Sequence, residues 1–407
     1  MSDAVPAGDP ASLTPVRPAP RFATVLALLL ASALTVMAGA TIAPALPQIE
    51  AAFADTAGVE LLTRLVLTVT AIFTVIGSPI AGLLVDKIGR KPLLLFGMIL
   101  YAIAGTSGLY LDSLTGLLIG RAALGLSVAC NLTAATTLFA DLYAGPERAK
   151  MLGRQSAFMG AGGVVFLLLG GWLAELGWRA PFGIYVASLA VFVLILLFVD
   201  ETRDRASRQP DAPKDRWPVG TVLMIMGFVL IAQIAFYLWP VQLPFFLGER
   251  FDVSGPAVGL AIGCASGTTA VTGILYRQFR ERLGDFGLVA LVYALLGLTN
   301  ILLAHATSYL MVLPILVLGG ASIGLMFPHG ANWMTSVVPD GLRGQAVGLA
   351  SSALFSGHFL SPVVSQPIMG RIGYGPGYQV FGIILIALGA LVFLAHLWGR
   401  RRQAAQS

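Results

Sequence analysis

Few ionisable side chains stand inside the long apolar stretches of this 407-residue chain, and two of them, Arg121 and His358, are where chemistry is first looked for. Arg121 lies about seven residues, roughly 10 Å, inside the stretch 115–142. His358 sits near the centre of 346–370. A charge without water is costly, so each invites a functional hypothesis. A guanidinium lining a cavity favours anionic or strongly hydrogen-bonding ligands. An imidazole, with an ordinary pKa near 6.5, takes up and releases a proton near neutral pH. Each also has a structural reading: Arg121 satisfied by helix-end carbonyls or by Glu60, and His358 as a hydrogen-bonded core residue.

Other chemistries fail on geometry. Ser356 and His358 are two apart on one helix, so their side chains diverge by about 200° and cannot share a proton. The run Gly160 to Gly163 lies inside an apolar stretch without a preceding strand, unlike a nucleotide-binding loop. Cys130 and Cys264 have no metal-ligand spacing and no reason to pair. The expectation is a protein that is not an enzyme, with no cofactor and no metal.

The elements that must position Arg121 and His358 follow from composition. With 57% hydrophobic and 11% charged residues, the chain is far outside soluble proportions. Hydrocarbon offers backbone groups no partner, so spanning segments are helices of about 20 apolar residues. Twelve can be drawn, at 22–46, 59–84, 93–110, 115–142, 151–174, 180–199, 219–246, 256–276, 286–304, 309–336, 346–370 and 376–398. The polar, Pro-rich start of the chain lacks the basic start of a signal peptide, and the first apolar run is too long for one. It is therefore read as a retained helix.

Lys and Arg resist translocation when they flank helix ends. With both termini cytoplasmic, 20 of the 25 basic residues fall on the inner side, leaving Arg64, Arg121, Arg179, Arg250 and Arg371. The net charge of +5 is thus a topology signal directed at anionic lipid, not at nucleic acid. A multi-pass protein of the cell inner membrane is expected. All Asp and Glu fall at helix ends or in loops, so no carboxylate relay crosses the membrane centre.

The stretch 200–218, rich in Arg, Asp and Pro, reads as a cytoplasmic linker. It separates helical bundles at 22–199 and 219–398, flanked by cytoplasmic tails at 1–21 and 399–407. An offset of 195 residues carries Asp86, Lys87, Ile88 and Gly89 onto Glu281, Arg282, Leu283 and Gly284. The same offset carries Arg148 onto Arg343, Gly153 onto Gly348 and Ser127 onto Ser322. Parallel six-helix repeats place a substrate site between the halves near midplane. Gly82 and Gly89 allow close approach and a tight turn, while Asp86 and Arg90 are four apart and able to pair.

The segment GLLVDKIGRKPLL, Gly82 to Leu94, resembles the signature loop between helices 2 and 3 of the major facilitator superfamily. With the copy at Glu281 to Gly284 and the run ERAKMLG, the resemblance covers residues 22–398 and is nearest to twelve-helix drug and metabolite exporters of the proton-antiport type. It implies an all-α membrane fold of two pseudo-symmetric six-helix bundles. It also implies a charge network closing the cytoplasmic side, in which Asp141 is the acid ending helix 4, alongside Gly82, Asp86, Gly89, Arg90, Arg148, Glu281 and Arg343. Arg121 matches an arginine tied in that family to proton coupling or substrate contact. One departure is recorded: Phe166 and Leu167 stand where antiporters carry Gly-Pro before the pair Gly170 and Gly171, and Ser361 and Pro362 supply a proline in the second half.

Helical spacing groups the residues expected to face the cavity. Gln233, Tyr237, Pro240 and Pro244 share one face; His329, Asn332, Trp333 and Ser336 share another; Ser351, Phe355, His358 and Pro362 form a third. Such mixed polar and aromatic walls suit a partly apolar molecule, and interhelical packing is the alternative for each residue. Arg121, His358, Gln233, Tyr237, Asn332 and Trp333 are the candidates for substrate or proton coupling. The resemblance implies a monomer that exports a small organic molecule by alternating access, coupled to protons, with membrane lipid as its other partner. Uptake or facilitated passage of a small organic anion is the competing expectation.

Overall fold

The structure, a computed structural model, describes residues 20–143, 145–201, 218–339 and 342–404. The expected N-terminal tail and central linker fall mostly outside the described residues, as does the side chain of Arg343. Among the described residues every regular element is helical. The long helices are α1 (Phe22–Ala40), α2 (Val59–Ile88), α3 (Arg90–Gly105), α4 (Leu114–Leu142), α5 (Gly145–Ala174), α6 (Ala187–Phe198) and α7 (Val219–Phe251), followed by the continuous element Gly255–Ala304. That element is broken at Gly284, whose φ of 67° is non-helical, into α8 (255–283) and α9 (285–304). Then come α10 (Tyr309–Val337), α11 (Arg343–Ile372) and α12 (Tyr374–Ala404). A short helix, Leu46–Ala52, follows α1, and a one-turn helix, Ala180–Gly183, leads into α6.

These boundaries differ from the sequence-based ones in an instructive way. The loops expected over 85–92 and 277–285 are almost wholly helical, and each turn is made at a single glycine, Gly89 (φ 99°) or Gly284 (φ 67°). Positive φ is open to glycine at little cost, which lets one residue do the work of a loop. Charged residues on either side therefore extend the helices beyond the apolar stretch. At Gly89 the space is also closed to a larger residue, because an added Cβ would come within 2.8 Å of Glu201.

Two separate apolar cores form, one mainly from helices of the first half and one from the second. Small residues bring the helices together where lipid supplies no hydrophobic drive. Gly125 packs on the carbonyl of Thr70, Gly320 on that of Ala265, and Gly297 against Gly382. Hydroxyls finish these seams: Thr70 donates to Arg121 O at 3.2 Å and Thr269 to Gly320 O at 3.0 Å. Those two bonds occupy equivalent α2–α4 and α8–α10 seams, so the repeat in sequence is a repeat in packing.

Candidate functional site

Arg64 is, in the sequence, one of five basic residues that stand apart from the cytoplasmic clusters. It lies one turn into α2 and is 1% exposed. Its Nη1 meets Glu50 at 2.6 Å, its Nε donates to Gln242 Oε1 at 2.8 Å, and its Nη2 donates to Tyr374 Oη at 2.7 Å. The guanidinium plane lies over the Phe245 ring at 3.8 Å. Gln242 in turn donates to Ser365 at 2.8 Å, and Gln366 donates to Glu60 at 3.0 Å. Glu50, Glu60 and Arg64 belong to the first half, whereas Gln242, Phe245, Gln366 and Tyr374 belong to the second. A planar fork with five donors is suited to hold several partners at once. A cavity of about 230 Å³ adjoins this knot, lined by Glu50, Glu60, Arg64, Glu249 and Tyr374 among others.

Among the described residues, the hydrogen bonds that cross between halves are Arg64 to Gln242, Arg64 to Tyr374 and Gln366 to Glu60, all at this end of the bundle. Backbone contact reinforces them. An added Cβ on Gly171 of α5 would come within 2.5 Å of Gly255 O on α8, and one on Gly259 within 2.6 Å of Leu167 O. Further along, the two helices part. A Cβ at Gly263 would only touch Val164 at 3.9 Å, and at Gly267 it would meet nothing within 4 Å. The halves are therefore clamped at the Arg64 end and splayed toward the opposite, Arg90 end.

At the Arg90 end the bonds seen among the described residues lie within one half or the other. Arg90 Nε donates to Asp141 Oδ2 at 3.0 Å, both side chains being nearly buried. Glu201 accepts from the backbone N–H groups of Arg90 and Lys91 at 2.9 and 3.0 Å, satisfying free donors at the start of α3. Arg148 donates to the carbonyls of Ala140 and Tyr143. Arg90 thus turns to Asp141, while Asp86, on the far side of the Gly89 turn, is exposed. A Cβ at Gly82 would meet nothing within 4 Å, so close helix approach is not made there. In the second half Glu281 pairs with Arg277 at 2.7 Å.

Three of the sequence candidates come together between α7 and α11. His358 Nε2 lies 3.0 Å from Gln233 Oε1, and its ring stacks on Tyr237 with centroids 3.9 Å apart and planes 15° from parallel. Phe355 meets the same imidazole edge-on at 5.7 Å. Tyr237 also reaches the first half, for a Cβ on Gly39 of α1 would come within 3.2 Å of its hydroxyl. Gln233 Nε2 is buried with no protein partner. Gln233 and Ser351 line a cavity of about 70 Å³ with Phe327, Ala331 and Leu354. Trp333 is engaged elsewhere, stacked on His329, and Asn332 is exposed.

Arg121 is fully buried in the first half. Its Nη1 donates to Ala38 O at 3.2 Å and to Tyr185 Oη at 2.9 Å, and its guanidinium faces the Phe182 and Tyr185 rings at 4.8 and 5.1 Å. The partners are a helix carbonyl and a phenol, and Glu60 is held by Gln366 instead. Nε and Nη2 have no protein partner.

A twelve-helix membrane fold of two six-helix halves, gripped at one end and parted at the other, defines a transporter. The Major Facilitator Superfamily model matches residues 28–362, and the chain belongs to that family. It is similar to the "Quinolone resistance protein NorA" of Staphylococcus aureus (strain MRSA252), 24% identical over 77% of this chain and 82% of that one. It is likewise similar to the "Tetracycline resistance protein, class E" of Escherichia coli, 27% identical over 84% and 86%. Among solved structures it superposes on a D-xylose-proton symporter with a TM-score of 0.75 at 16% identity, covering 91% of this chain and 97% of that one. A bacterial homologue of the lysosomal transporter Spinster also scores 0.75, at 21% identity and with coverage of 91% and 96%.

Proposed function

We propose that this chain is a secondary transporter that exports a small, partly apolar organic molecule from the cytoplasm in exchange for protons. The observation that carries alternating access is the one-sided closure: cross-half bonds gather around Arg64 while α5 and α8 part toward Arg90. The positive-inside sorting assigns the parted end to the cytoplasm, with both termini inside an inner membrane. The halves 22–199 and 219–398 move as units joined by the cytoplasmic linker. Export is supported by curated relatives that carry the names of resistance proteins.

In this reading, Gln233, Tyr237 and His358 form the wall that meets substrate, and aromatic stacking with one or two hydrogen bonds suits a flat molecule with a polar edge. Arg90 and Asp141, with Gly89 as the turn, belong to the cytoplasmic network that reassembles when that side closes. Arg64 and its partners close the outer side.

The test is flux in everted membrane vesicles with a panel of planar fluorescent compounds. Acidifying the vesicle lumen drives their accumulation, and collapsing the pH difference abolishes it. Accumulation that ignores the pH difference overturns proton exchange, and movement in the opposite sense overturns export. The second reading, passage of an organic anion, rests on the two Arg121 nitrogens without a protein partner. It requires carboxylate flux that Arg121→Ala abolishes.

A further inference from the structure

The offset that carries Gly89 onto Gly284 also carries Arg90 onto Asp285, so the residue after each hinge glycine is basic in one half and acidic in the other. The surroundings differ accordingly. Arg90 turns to the acid Asp141. Asp285 accepts from Arg280 Nε at 2.8 Å and lies 4.0 Å from Nδ1 of His329, a distance for ion pairing rather than a formed hydrogen bond.

His329 is fully buried on α10. Its ring stacks on Trp333, centroids 5.2 Å apart and planes 21° from parallel, and meets Phe228 of α7 edge-on at 5.7 Å. From α8, Tyr276 Oη stands 3.4 Å from Nδ1, and that hydroxyl also meets the side chains of Arg280 and Asn332. From α12, His396 stacks on Phe286, which in turn packs edge-on against Trp333. The charged groups facing the imidazole are thus Asp285 and Arg280, with Tyr276 as a neutral neighbour. His329 Nε2 has no hydrogen-bond partner.

Nε2 lacks a partner in this apolar wall whether the ring is neutral or protonated, so the side that responds to protonation is Nδ1, which faces Asp285. A protonated imidazole places its Nδ1–H opposite a carboxylate that is already 30% exposed and so connected to solvent. We propose that His329 and Asp285 are a proton-binding site: the incoming proton resides on His329, whose Nδ1–H donates to Asp285 in competition with Arg280. Asp285 follows the Gly284 turn at the far end of α8, the helix whose opposite end touches α5 at Gly171 and Leu167. Proton occupancy thereby bears on the tilt of α8 relative to α9. That mechanical consequence rests on the transport reading above, whereas proton binding itself does not.

Trp333 makes the proposal measurable without substrate, because an imidazolium stacked on an indole quenches its emission while a neutral imidazole quenches little. The emission of purified, detergent-solubilised protein is titrated with pH, and the signal of a Trp333→Phe variant is subtracted. The expected difference signal falls on acidification in a single one-proton step between about pH 4 and 8, the range open to a histidine with shifted affinity. His329→Gln removes the step. Asp285→Asn moves it by about one unit or more toward acid, since a partner charge within 4–6 Å contributes that much, and Asp285→Glu keeps it.

Should Asp285→Asn not fold, Asp285→Glu and His329→Gln carry the test in its place. A flat difference signal, a step that survives in His329→Gln, or an Asp285→Asn midpoint equal to that of wild type overturns the proposal. Failure of proton-driven export with the step intact would instead strike the transport reading alone.

Discussion

Arg64 and Gln242 are 178 positions apart and share a 2.8 Å hydrogen bond, so a residue one turn into α2 is fastened to the last third of α7 in the opposite half. The same guanidinium holds Tyr374 of α12, so its grip on the second half is double.

In the proposed orientation, removing that grip is expected to destabilise the outward-closed state. Arg64→Ala deletes hydrogen bonds from a charged donor, each worth about 1.5–3 kcal/mol, and initial rates of flux in vesicles are expected to fall by roughly tenfold or more. Arg64→Lys keeps a point charge for Glu50 but loses the fork that reaches both Gln242 and Tyr374, and should be intermediate. Wild-type rates in Arg64→Ala would remove the clamp from the mechanism.

Gly259 tests the same closure from the backbone side. In Gly259→Val the Cβ would stand 2.6 Å from Leu167 O, an atom of the opposite half that yields only if the halves separate. With Cys130 and Cys264 replaced by Ser, a Cys introduced at Gly370 should react faster with an impermeant thiol reagent from the outer side when Gly259→Val is present. Gly320→Val is the contrast, because its Cβ would lie 2.0 Å from Ala265 O within the same half. There the expected outcome is loss of folded protein.

His358 and Gln233 separate stability from substrate contact. His358→Ala strands the buried Gln233 carbonyl and should cost about 1–3 kcal/mol, read as a lower midpoint of thermal unfolding. Replacing both by Leu removes the donor and the acceptor together, so stability recovers while transport does not. If the double variant transports normally, these residues serve packing alone.

Arg90 and Asp141 face each other with side-chain exposures of 9% and 14%, shielded enough for real coupling. A double-mutant cycle on thermal stability with Arg90→Ala and Asp141→Ala should return an interaction of about 0.5–3 kcal/mol. Additivity would show that the pair is not coupled.

What the sequence by itself determined is whatever depends on local composition. Apolar length demands spanning helices, because backbone groups in lipid have no other partner. Internal repetition announces two halves, and Gly89 and Gly284 mark their turns, because a positive φ leaves its trace in residue type. Periodicity also set Gln233, Tyr237 and His358 on faces that do meet. It was less informative for α10, where His329 and Trp333 turn into the half's own core while Phe327 and Ala331 line the cavity. On a helix that is apolar all round, period alone does not say which side is lipid, core or cavity.

Only the tertiary structure decided the partners of the buried charges. Arg64 stands in sequence as one of five scattered basic residues, and although it bonds the Glu60 carbonyl one turn back, its side-chain partners lie 14, 178 and 310 positions away. Glu201 falls inside the expected linker 200–218, but it caps α3 from 110 and 111 positions off. An electrostatic interaction depends on distance through space and on exclusion of water. Neither quantity is written in the local order of residues, so the end at which the halves are clamped became visible only once the helices were packed.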